Sequence, residues 1–169
     1  MRMLVTRPEP DAQATVERLA ALGIAGEIAP VMLRQTLPAH LPRPEGFAAI
    51  ALTSTNALRA LSELAPLPPF ASMPVFAVGD RTAHEARQLG FATVTAAEGT
   101  LDSLVTTIAL ARLAGPVFYP AGKHLSGDLA HALAPHGLMV VTVPVYEMVA
   151  ETDLPPAIQS GLASGRFGA

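Results

Sequence analysis

The chain has no cysteine, which excludes disulfides, Cys-based zinc sites, iron–sulfur clusters and thiol catalysis together. Charge is scarce as well. Of 169 residues only 15% are charged, and the net charge is −3, with an isoelectric point near 5.9. That balance argues against binding nucleic acid irrespective of sequence, which needs a cationic field. No apolar stretch approaches membrane-spanning length. The longest, LMVVTVPVYEMVA, is broken by Pro144 and Glu147. The opening MRMLVTRPEPD meets proline and acids too soon for a secretory leader, so a soluble, cytoplasmic protein is the expectation. What the chain does have is apolar content: half of it is hydrophobic, enough for a real core in one ordinary domain or parts of two small ones.

One pattern recurs. RMLVT leads into PDAQATVERLAALG, AAIALT into STNALRALSEL, PVFAV into DRTAHEARQLG, and PVFYP into HLSGDLAHALAPHG. Each is a short β-branched or aromatic run giving way to helical spacing. Three of these helices should close at Gly23, Gly90 and Gly137, where a left-handed residue ends the last turn at little cost. Further strands are expected at EIAPVM (27–32), ATVTA (92–96) and LMVVTVPV (138–145), with another helix beginning at Thr100. Such alternation means an α/β fold with a parallel sheet and helices on both faces.

The rhythm breaks twice. Pro38, Pro42 and Pro44 interrupt the first break, and YEMVAETDLPP forms the second. The expected partition is a βαβ piece at 1–32, a linker at 33–45, a complete α/β domain at 46–144, a return linker at 145–153, and a short helical segment at 154–169. The amino-terminal βαβ is too small to bury its own faces. Either it belongs to a second domain completed by residues beyond Ala169, or it packs with a frayed C-terminus on a single domain. The first reading is favoured because an orphan βαβ needs neighbours.

In parallel α/β sheets ligands bind beyond the carboxyl ends of the strands, where helix N-termini point. Arg7 follows the first strand, and Thr53, Ser54 and Asn56 follow the AAIALT strand. Gly79, Arg81 and Thr82 follow PVFAV, and Gly122, Lys123 and Ser126 follow PVFYP. Three cations thus fall on one rim of an acidic protein. A cation in a helix's first turn is mildly unfavourable unless an anion faces it. Arg81 could instead pair with Asp80 or Glu85, and Lys123 could be solvated. Ser54, Thr82 and Ser126 could be plain helix caps, a role compatible with ligand contact. Tyr146, in the second break, carries a phenol able to donate a proton or to pack as a hinge residue. His124 and His131 lie seven apart and lack the spacing of a metal helix, so no metal is expected.

These segments resemble, over essentially the whole chain, the uroporphyrinogen-III synthase family. LVTRPEPDAQATVERLAALG is similar to the family's opening, ALTSTNALRAL to its Thr-Ser-x-x-Ala-Val segment and VFAVGDRTAHEARQLGF to its Val-Gly-x-x-Thr-Ala segment. VFYPAGKHLSGDLAHALAPHG and VPVYE resemble its Arg-Gly segment and Val-Tyr hinge. The resemblance implies two flavodoxin-like parallel-sheet domains joined by a two-stranded connector, the first domain being incomplete here. It implies cyclisation of hydroxymethylbilane with loss of water and inversion of the last ring, without cofactor or metal. Substrate carboxylates would be gripped at helix N-termini in the inter-domain cleft, with Tyr146 assisting departure of the hydroxyl. Ala121 departs from the family's frequent arginine, leaving Lys123 as substitute, and Met148 replaces a threonine. The family's second Thr-Ser and Gly-x-x-Thr segments would follow Ala169. The resemblance therefore implies a monomer when complete, and weak activity and association for a chain ending there. A non-catalytic small-anion-binding module is the alternative reading, and a nucleotide phosphate at GDRT a weaker one.

Overall fold

Two stretches of the chain collapse separately in the computed structural model, which describes residues 1–168. Met1–Gln35 and the chain from Met148 on form one unit, and Thr36–Glu147 forms the other.

In the first unit, β1 (Arg2–Val5) leads through α1 (Asp11–Ala21) to β2 (Ala25–Ile28), and the two strands pair in parallel with Val5 opposite Ile28. Gly23, with φ of +72°, makes the left-handed turn that closes α1. The EIAPVM stretch is not one strand: β2 ends at Ile28, and β3 (Met32–Thr36) begins beyond Pro30. Proline has no N–H to give to a ladder, so the chain changes course there. β3 also occupies the start of the stretch expected as linker.

The second unit shows why an apolar run becomes a strand and its successor a helix. All four residues of β4 (Ala49–Leu52) are buried, and Ser54 then caps α2 (Thr55–Leu64) by accepting from the Asn56 amide. A short helix not foreseen from the sequence, α3 (Pro68–Ala71), precedes β5 (Val75–Ala77) and α4 (Asp80–Gln88). Then come β6 (Val94–Ala96) and α5 (Leu101–Leu110), whose cap Thr100 exchanges hydrogen bonds with Ser103. β7 (Val117–Gly122), α6 (Leu129–Leu133) and β8 (Val140–Ala150) follow. β8 is one eleven-residue strand, so the expected return linker starts inside a strand. The last helix, α7 (Pro156–Ala163), belongs to the first unit, where Arg166 binds Glu27 of β2 at 2.9 Å.

The six-stranded sheet has the order β3-β8-β7-β4-β5-β6, and the pairs β7–β8, β4–β7, β4–β5 and β5–β6 are parallel. Counted from β4, its five parallel strands run 3-2-1-4-5. This corrects the flavodoxin-like expectation, whose order is 2-1-3-4-5. The chain winds outward through β5 and β6 before crossing back to the other side of β4, and the reversal lies between β4 and β7. Alternation along β4 sorts the core. Ile50 and Leu52 face a cluster with Leu58, Leu61, Phe70 and Phe118; Ala49 and Ala51 face Leu104, Ile108, Leu129 and Leu133. Each large side chain so buried contributes about 1.5–3 kcal/mol.

Candidate functional site

In open parallel sheets the crevice lies where strand order reverses, beyond the carboxyl ends of the two strands. Here those ends are Thr53 after β4 and Gly122 at the end of β7. The structure ties Thr53 to β7 through a residue the sequence reading did not select. Tyr119, on β7 and only 3% exposed, lies with its phenolic oxygen 2.9 Å from Thr53 Oγ1. Burial pushes the Tyr119 phenol above its usual pKa of 10.0; the Thr53 hydrogen bond opposes this, while Tyr146 and Asp128 add to it.

Tyr146 reaches the same rim by an irregularity in the ladder. Ala121 pairs with Pro144 but Gly122 pairs with Tyr146, so Val145 is the extra residue of a bulge. Bulges re-aim side chains, and this one lays the Tyr146 ring over Gly122. A Cβ at position 122 would stand 3.0 Å from Tyr146 Cζ and 3.1 Å from its hydroxyl. The Lys123 amide donates to the Tyr146 carbonyl at 2.8 Å, and Lys123 Nζ binds Glu147 Oε2 at 2.8 Å. Lys123 is therefore not a merely solvated cation; its charge is already shared with a carboxylate. An open depression of about 480 Å³ adjoins it, lined by Leu37, Pro38, Ala39, His40, Val143 and Pro144.

Ser54 and Asn56 stand at the start of α2, which has no acid in its first turn. The Asn56 side-chain oxygen accepts from Arg59, whose guanidinium also grips both oxygens of Glu85 at 2.8 and 3.1 Å. Glu85 is thus committed to Arg59. One strand further out, Gly79 is the cap of α4, with Arg81 exposed and Thr82 buried in its first turn. Thr82 is therefore not the capping residue. Nor is Ser126: it is exposed in the loop before α6, where Asp128 caps by accepting from the His131 amide at 2.9 Å. A carboxylate neutralises a helix N-terminus better than a hydroxyl does. Arg7 lies in the other unit, where it donates to Thr15 Oγ1 at 3.2 Å and faces Asp11 at 3.6 Å.

The arrangement offers hydroxyl and amide donors at the start of α2, a buried neutral phenol behind them, and a second phenol at the surface of the same rim. It can hold anionic groups and deliver one proton. Among the described residues no three His, Asp or Glu side chains converge to hold a metal ion, and no helix is long and apolar enough to cross a membrane. The one signal that could have singled out Tyr119 is a polar-tipped aromatic inside an otherwise apolar strand, which normally finds a partner when buried.

The fold is similar to that of uroporphyrinogen-III synthetase from Helicobacter pylori, at 22% identity and a TM-score of 0.62, covering 96% of this chain and 68% of that one. It is also similar to a mutant uroporphyrinogen III synthase from the extremely thermophilic bacterium Thermus thermophilus, at 20% identity and a TM-score of 0.57, covering 99% and 70%. No curated protein sequence matches this one significantly. The family model described as uroporphyrinogen-III synthase HemD matches residues 13–169. The chain belongs to the uroporphyrinogen-III synthase family.

Proposed function

We propose that the chain cyclises hydroxymethylbilane to uroporphyrinogen III, using the rim formed by the ends of β4 and β7 and by Tyr146 of β8. The observation that carries this reading is the Tyr146 phenol held against Gly122 at the point of strand reversal, in a chain of this family. Tyr146 gives its proton to the hydroxyl of the pyrrolic carbinol as the C–O bond breaks, and water leaves. Ring electrons stabilise the azafulvene that remains. The last ring attacks it through its substituted α-carbon; in the spiro intermediate the bond from that carbon to the preceding ring's methylene breaks, and that methylene recloses on the free α-carbon across the ring nitrogen. The proton lost on rearomatisation returns to the phenol, so the balance is substrate to product plus one water.

Geometry has to favour inversion over direct closure, and such selection comes from holding the reacting carbons rather than from strong acid–base groups. In this proposal Thr53, Ser54 and Asn56 bind substrate carboxylates at the start of α2. Gly79, Arg81 and Thr82 at α4, with Gly122, Lys123 and Ser126, take further carboxylates. Gly122 also leaves the space that the Tyr146 ring fills. The test is incubation with hydroxymethylbilane, oxidation of the products and separation of the isomers. Type III isomer in excess of a protein-free control supports the reading; type I alone, at the spontaneous rate, refutes it. The Lys123–Glu147 pair and the Asp128 cap weaken the positive field of the rim. They favour the alternative, a non-catalytic anion-binding module, which would bind the bilane without turning it over.

A further inference from the structure

The chain contains two tyrosines and no tryptophan, and both tyrosines stand at this rim. Tyr146 has a role in the proposed chemistry; Tyr119 does not. On packing grounds Tyr119 needs no hydroxyl. It fills the face with Ala49, Ala121, Leu129 and Leu133, where phenylalanine would serve as well. Burying a phenolic O–H is costly unless it is bonded, and here it meets Thr53 Oγ1.

Either oxygen could be the donor on distance alone, but acidity decides. A phenol is far more acidic than an aliphatic alcohol, hence the better donor. Its proton is retained, because burial and the neighbouring Tyr146 and Asp128 disfavour the phenolate. Once Thr53 Oγ1 accepts that proton, its own hydrogen must point elsewhere. Thr53 is half-buried and immediately precedes the Ser54 cap of α2, so the outward direction is the rim. Accepting one hydrogen bond also strengthens the donation of the next.

We propose that Tyr119 is a positioning residue: its phenol donates to Thr53 and thereby commits the Thr53 hydroxyl to donate to a carboxylate of a polycarboxylate ligand bound at the rim. This rests on the reading given under Proposed function. A direct probe is uroporphyrin III, the oxidised counterpart of that product, followed by its quenching of tyrosine fluorescence. Tyr119→Phe and Thr53→Val should each weaken binding about three- to tenfold, the double variant should lose no more than the worse single one, and Thr53→Ser should restore most of the affinity. Cyclisation measured alongside should show the loss in KM, with kcat little changed. Tyr119→Phe binding as the parent does, or the two losses multiplying, overturns the proposal and leaves the assigned function standing. A parent chain that neither binds nor cyclises overturns both. Should Tyr119→Phe not fold, the Thr53 variants, which leave the phenol in place, carry the test. Thr53→Val binding uroporphyrin III as the parent does, or Thr53→Ser failing to restore the affinity that Thr53→Val loses, overturns the proposal.

Discussion

Replacing Gly122 by alanine perturbs the rim by one methyl group, and the structure says where that methyl goes. The new Cβ would lie 3.0 Å from Tyr146 Cζ, 3.1 Å from its hydroxyl and 3.4 Å from Cε1. Carbon atoms rest at about 3.5–4.0 Å from one another, so the tip of the ring must retreat by roughly 0.5–1 Å. Tyr146 is half-buried, and the end of its side chain can yield. The stability cost therefore falls at the low end of the range for overpacking, about 1 kcal/mol, or a drop in Tm of about 2–4 °C for a chain of this length. Catalysis is less forgiving, since a misplacement of about 1 Å can cost on the order of 100-fold. The expected outcome is a well-folded variant whose kcat for type III formation falls by about 10- to 100-fold. Gly46→Ala is the control, because nothing lies within 4 Å of a Cβ there. Isomer-resolved product analysis and a thermal melt on the same samples decide the matter. If Gly122→Ala keeps its inversion rate within about twofold of the parent, the phenol's position is not what the reaction needs.

Other outcomes follow from the same geometry. Arg59→Met should destabilise the chain by about 1–2 kcal/mol in urea unfolding, since it strands Glu85 between α2 and α4; Arg59→Lys should not rescue it, because the paired geometry needs a guanidinium. Glu147→Gln releases Lys123 and should tighten uroporphyrin III binding by roughly threefold, whereas Lys123→Met should weaken it, both effects shrinking in high salt. The pH dependence has a definite sign. The folded chain keeps the Tyr119 proton above pH 10.0 while the unfolded chain releases it. This group's stabilising contribution is thus full below pH 10.0 and declines as pH rises through the higher folded value. Urea midpoints compared at about pH 9 and about pH 11 should show the parent losing more stability than Tyr119→Phe; equal losses would remove the burial argument.

Local signals carried most of the secondary structure. Gly23, Gly90 and Gly137 all have positive φ, as helix ends read from composition should, and Ser54 and Thr100 cap the helices expected to start beside them. Failures came where two local signals competed. HLSGDLAHAL reads as helix from its first residue, but the Asp128 carboxylate outcompetes the Ser126 hydroxyl and the helix starts late, at Leu129. YEMVAETDLPP reads as a break, yet β8 carries Tyr146 to Ala150 on in the same strand, with Pro144 tolerated where no ladder N–H is demanded. Strand order was illegible for a different reason. Nothing in β5 or β6 encodes which side of β4 receives β7, so the flavodoxin-like order could be assumed but not read. The site was half legible. Thr53 and Gly122 follow from the rule about strand ends, whereas the Thr53–Tyr119 bond joins residues 66 positions apart and leaves no periodicity.

Strand order also bears on how an acidic protein could hold a carboxylate-rich ligand. Reversal between β4 and β7 puts α2, whose first turn lacks acids, beside the loop that carries Lys123. The helices to either side are less hospitable: α4 opens with Asp80 and α6 is capped by Asp128. Lys123 has Glu147 at 2.8 Å. Attraction by full charges is therefore largely offset along this edge, and what distinguishes the β4–β7 position is a set of neutral donors. Such donors act over hydrogen-bonding distance and in fixed directions, whereas surface charges act over a Debye length and indifferently to orientation. The proposed reaction, decided by which carbon of one ring meets its partner, needs the directional kind of grip. In that proposal the few cations of the rim would gather the ligand, and the hydroxyls and amides at the start of α2 would determine how it lies.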